Sequence, residues 1–72
     1  MKKFEIELIP EEKHASTEGV YHVTVDSDPV ICLSDSEANA VLPLNYSQRK
    51  GNLLRMLDPQ RLERFKKALE GN

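Results

Sequence analysis

The stretch "GVYHVTVDSDPVICL", residues 19–33, decides how this chain is read. It holds one of two histidines, the single cysteine and a close pair of aspartates. It is therefore either a ligand set assembled for chemistry or a β-hairpin whose polar residues fall outside. Tyr21, Val23 and Val25 alternate with His22 and Thr24, the period-two pattern of a half-buried strand. "DSDP" interrupts the pattern with turn-forming residues, and "VICL" resumes it as a short run rich in β-branched residues. The hairpin is the better reading, with two registers open. A four-residue loop sets Val25 opposite Val30 and turns Cys32 inward. A five-residue loop sets Val25 opposite Ile31 and turns Cys32 outward, because a one-residue slip exchanges the faces of a strand.

Upstream, "KFEIELI" alternates Phe4, Ile6 and Leu8 with Lys3, Glu5 and Glu7, so it too reads as a strand. Pro10 ends it, and "PEEKHASTEG" is a polar connection. Three consecutive strands joined this way form an antiparallel meander with one apolar face. Downstream of Leu33 the period changes. Ser34 and Glu37 are spaced as a capping box for a short helix over "DSEANAVL", and Pro43 is expected to force Leu42 out of helical geometry. "PLNY" connects to a second helix starting at Ser47 and presenting Leu53, Leu54 and Leu57, with Gly51 as a weak point. Asp58 and Pro59 fit the N-cap and first position of a last helix, which carries Leu62, Phe65 and Leu69 on one stripe and stops at Gly71.

The fold class that follows is α+β. A three-stranded antiparallel β-meander is covered on one face by two or three C-terminal helices, since neither layer can bury its apolar side alone. Residues 1–72 make a single domain, β-rich over 1–33 and helical over 34–72. The expected core is Phe4, Ile6, Leu8, Tyr21, Val23, Val25, Ile31, Leu33, Val41, Leu53, Leu57, Leu62, Phe65 and Leu69.

A chain of 72 residues buries only about 60% of its unfolded surface. It has little room for a substrate cavity of several hundred Å³. A lone cysteine forms no intramolecular disulfide and excludes a four-cysteine zinc site. The N-terminus has no apolar run long enough for a signal peptide, and nothing approaches the ~18 apolar residues of a membrane span. The expected setting is a reducing cytoplasm, away from the membrane.

Candidate chemistry is thin. His22 shares the outer face of the sheet with Glu5 and Glu7, a pairing able to hold a divalent ion, but the spacings match no zinc pattern. Asp26 and Asp28 begin like a calcium loop, and Pro29 and the missing downstream glycine and glutamate break it. No local signature of a thiol enzyme surrounds Cys32. Glu11 and Glu12 are adjacent acids in a polar connection, and no glycine-rich loop follows a strand. The expectation is a non-enzyme with no catalytic residues, no metal and no cofactor.

Charge is divided along the chain. Residues 1–46 carry three basic against nine acidic residues, a net −6, and residues 47–72 carry seven basic against three acidic, a net +4. Arg49 and Lys50 fall in the first turn of the second helix, where cations oppose the helix dipole. Arg61, Arg64 and Lys67 recur every three residues on the last helix, and Glu63 is placed to support Lys67 at i, i+4.

The leading reading is a small protein that docks on a protein partner, as adaptor, inhibitor or regulator, or on a second copy of itself. The candidate contacts are Leu44, Tyr46, Arg49, Leu54, Arg55 and Met56, with tyrosine as anchor and arginine as charged rim. Replacing Tyr46 and Arg49 together by alanine is then expected to abolish association with little change in melting temperature. The alternative is a nucleic-acid-binding regulator using Arg49, Lys50, Arg55, Arg61, Arg64 and Lys67. Segment 35–57 would then be an irregular helix-turn-helix, although the overall acidic balance opposes it.

Overall fold

A computed structural model describes residues 2–16 and 19–71. Strand β1 (Phe4–Leu8) leads through a 3-10 turn (Glu11–Ser16) to β2 (Tyr21–Val25) and β3 (Asp28–Leu33). Helices α1 (Asp35–Val41), α2 (Tyr46–Met56) and α3 (Pro59–Glu70) follow. The strands form one antiparallel sheet in the order β1-β2-β3, so the chain is α+β. Part of the connection "PEEKHASTEG" is thus coiled rather than extended; its Thr17 and Glu18 lie outside the described residues.

The hairpin takes neither of the two expected registers. Its turn is only two residues long, with Asp26 at φ 53° and Ser27 at φ 69° and Val25 opposite Asp28. Two left-handed residues give the mirror-image turn whose twist matches that of the flanking strands. The register then shifts: Thr24 faces Pro29, but Val23 faces Ile31. Val30 is therefore one extra residue on β3, a bulge. Without it Ile31 would point outward; with it Ile31 and Leu33 enter the core at 4% and 0% exposure, and Cys32 turns outward opposite His22. Pro29 belongs to the strand, which an edge tolerates because the missing N–H is needed only on the paired side.

The core joins Phe4, Val23, Val25, Ile31 and Leu33 of the sheet to Ala38, Val41, Leu53, Leu57, Phe65 and Leu69 of the helices. Phe4 lies between two rings. Tyr46 stacks on it with centroids 4.7 Å apart, and Phe65 meets it edge-on at 5.1 Å; both arrangements suit the aromatic quadrupole. Leu8 departs from the expected core, being 65% exposed, while its neighbour Ile9 is 2% exposed. Leu8 has the parity of Phe4 and Ile6 but stands at the far end of β1, outside the cluster that the helices close over. Ile9 is held where the chain turns: its N–H donates to the Val20 carbonyl at 2.9 Å, and its carbonyl lies 2.7 Å from His14 Nε2.

The helix ends mostly follow local chemistry. Ser34 and Glu37 form the reciprocal capping box at α1, and Asp58, Pro59 and Gly71 (φ 83°) bound α3. Two boundaries differ from expectation. Leu42 stays right-handed helical, at φ −56° and ψ −38°, despite preceding Pro43. The geometry before a proline is disfavoured rather than forbidden, and the carbonyls there gain partners described below. Helix α2 begins at Tyr46, not Ser47, because Asn45 caps it. The Asn45 side chain accepts from Gln48 N–H, and the Gln48 side chain accepts from Asn45 N–H. Among the described residues no helix is long and apolar enough to cross a membrane.

Candidate functional site

Two of the arginines read as surface charge are committed to the interior architecture. Arg61, in the first turn of α3, donates from Nη1 and Nη2 to the two oxygens of Glu37 at 2.9 and 2.7 Å. It also donates from Nε to Asp58 and from Nη1 to the Cys32 carbonyl at 2.9 Å. One planar fork therefore joins the start of α3, the cap of α1 and the outer edge of β3, a geometry that a lysine cannot reproduce. The guanidinium hydrogen bonds hold the Glu37 carboxyl down at about 2, against partial burial that acts the other way, with the Ser34 N–H contributing. Asp58 is lowered by the same guanidinium, and Arg61 is raised in turn, first by Glu37 and also by Asp58, against its own partial burial.

Arg49 explains its unfavourable place in the first turn of α2. It donates from Nε to the Val41 carbonyl at 3.0 Å and from Nη2 to those of Leu42 and Leu44 at 2.6 and 3.1 Å. A cation set against the last carbonyls of α1 satisfies acceptors that the helix leaves open and complements its dipole. The charge misplaced for its own helix caps the helix before it.

The remaining candidate contacts do not converge on one surface. Tyr46 is 40% exposed, yet its ring covers Phe4 and its hydroxyl accepts from the Phe4 N–H at 3.3 Å. Tyr46 and Arg49 thus both have contacts within the fold that replacement by alanine would remove. Leu44 and Arg55 share a shallow depression with Gln48, Gly51 and Asn52, and Arg55 hydrogen-bonds Asn52. Met56 packs against the core. Leu54 lines a different groove, between α2 and α3, with Lys50, Lys66, Leu69 and Glu70.

That groove is more apolar than the depression at Leu44 and Arg55 or the one between Lys2 and Asp28. It is lined by Lys50 and Leu54 of α2 and by Lys66, Leu69 and Glu70 of α3, with Leu69 itself only 3% exposed. Lys66 was not among the sequence candidates, although it stands three residues before Leu69, on the same side of α3. Elsewhere on α3, Lys67 pairs with Glu63 at 3.1 Å as expected, and Arg64 is exposed.

On the outer face of the sheet, Glu7, His22 and Cys32 stand in one cross-strand row. Thr24, expected to be solvated there, is 3% exposed. It is a short side chain on the middle strand, flanked by Glu5 and Pro29. Among the described residues no three His, Cys, Asp or Glu side chains are grouped so as to hold a metal ion. Comparison with known proteins finds no matching family model, no matching curated protein and no matching solved structure.

Proposed function

We propose that this protein acts without catalysis, by docking on another protein through the groove between α2 and α3. The observation that carries the reading is the groove's chemistry: Leu54 and Leu69 line it together with two lysines, Lys50 and Lys66, against one acid, Glu70. A complementary partner is an amphipathic segment whose apolar side seats on the leucines while its acidic side meets the lysines. The engagement of Arg49 and Arg61 within the fold removes two cations from the set a nucleic-acid regulator would use, and so favours the protein partner. Such a role fits a small cytoplasmic adaptor, inhibitor or regulator.

The test is an amide-shift titration of the labelled protein with a synthetic amphipathic helical peptide rich in leucine and glutamate. Shifts confined to α2 and α3, and abolished by Leu54→Glu with Lys66→Glu, are expected. Absence of binding, or tight binding of duplex DNA at physiological salt, overturns the reading; phosphate binding declares itself by a steep salt dependence.

A further inference from the structure

We propose that the free edge of β1 takes up an extended peptide with alternating basic and apolar residues, which adds a fourth strand to the sheet. The two edges of the sheet differ in how they are closed. On β3, Asp28 and Pro29 open the strand, Val30 bulges, and Arg61 occupies the outward carbonyl of Cys32. Proline, bulges and covering side chains are the usual means of blunting an edge.

On β1 only one end is closed. Glu5 and Glu7 face Thr24 and His22, and the Ile9 N–H continues the ladder to Val20. Alternation then directs the backbone groups of Lys2, Phe4, Ile6 and Leu8 away from β2. The first two N–H groups have partners, the Leu69 carbonyl at 2.8 Å and the Tyr46 hydroxyl at 3.3 Å. Among the described residues nothing bonds to the outward N–H groups of Ile6 and Leu8. Beside them stands Leu8, one of only two large apolar side chains exposed among the described residues.

The side chains select the occupant. A strand laid on this edge places alternate residues beside Glu5 and Glu7 on the outer face, and the others beside Ile6 and Leu8 on the inner face. Basic residues answer the first pair and apolar residues the second. A second copy of this chain is a poor occupant. Antiparallel pairing of two β1 strands about Ile6 sets Glu5 against Glu7 twice, and pairing about Glu7 sets Glu7 against itself.

The test follows amide hydrogen exchange of Ile6 and Leu8 in the intact protein, with a peptide of alternating lysine and valine and a control of alternating glutamate and valine. The lysine peptide is expected to slow both amides at least about tenfold at saturation. Glu5→Lys with Glu7→Lys is expected to exchange the preference, weakening the lysine peptide about tenfold and admitting the glutamate peptide. Leu8→Pro removes one of the two outward donors and no rung of the ladder to β2, and is expected to abolish binding. Unchanged exchange, protection elsewhere, equal binding of both peptides, or a dimer in sedimentation that protects the same amides without peptide each overturn the proposal. The probe is basic, so its failure leaves the acidic-partner groove of α2 and α3 untouched.

Discussion

The Arg61 guanidinium and the Glu37 carboxylate meet through two parallel hydrogen bonds of 2.9 and 2.7 Å across 24 residues of chain. Both side chains are about three-quarters covered, so the pair lies between a surface ion pair and a buried one. Arg61→Lys keeps the charge and loses the fork. It is expected to cost about 1–2 kcal/mol, seen as a fall of several degrees in melting temperature.

The same pair sets an acid limb. The Glu37 carboxyl is held at about 2 in the fold, below its ordinary 4.5, so the folded state favours its ionised form. Its contribution is complete above about pH 4.5 and is lost as pH falls toward 2. Glu37→Gln should be less stable than the parent at pH 7 and lose less stability on acidification. Melting curves from pH 7 down to pH 2 measure this; parallel curves for the two proteins would refute it.

Arg49 holds the end of α1. Arg49→Met retains much of the apolar stem, takes the arginine donor from the Leu42 and Leu44 carbonyls, and leaves the Val41 carbonyl with the Leu44 N–H alone. A loss of about 1–3 kcal/mol is expected by denaturant titration. A wild-type midpoint in the variant would show the three bonds to be without weight.

Two glycines should respond with opposite signs. A Cβ on Gly19 would lie 2.3 Å from the Leu33 carbonyl oxygen and 2.6 Å from its carbon, both backbone atoms, whereas one on Gly51 would meet nothing within 4 Å. Gly19→Ala forces backbone apart and should destabilise by more than about 2 kcal/mol. Gly51→Ala, within α2, should stabilise by about 1 kcal/mol. Thermal melts of the two single variants decide it.

The hairpin turn stores strain that one substitution relieves. Ser27 sits at φ 69°, where a side chain costs energy and glycine does not. Ser27→Gly yields the Asp-Gly pair preferred in this turn and should raise stability by up to about 1 kcal/mol, read as a higher melting temperature with an unchanged amide spectrum outside the turn.

What the sequence by itself determined is what depends on near neighbours. The period-two runs of β1 and β2, the capping box of Ser34 and Glu37, and the Asp58-Pro59 start and Gly71 stop of α3 are all chemistry within a few residues. Each appears where the residues put it. Asn45 and Gln48 likewise carry a cap within three residues. Tertiary structure decided whatever needed a partner far along the chain. The bulge at Val30 sends Ile31 rather than Cys32 inward because the helices bury that face. Leu8 is left outside because the helical layer ends before it. Above all, the sequence shows only that Arg49 and Arg61 are cations on helices. Whether a cation faces solvent, a partner or a carbonyl of its own chain depends on which helix end or strand edge the fold brings within hydrogen-bond reach, and no local pattern carries that distance.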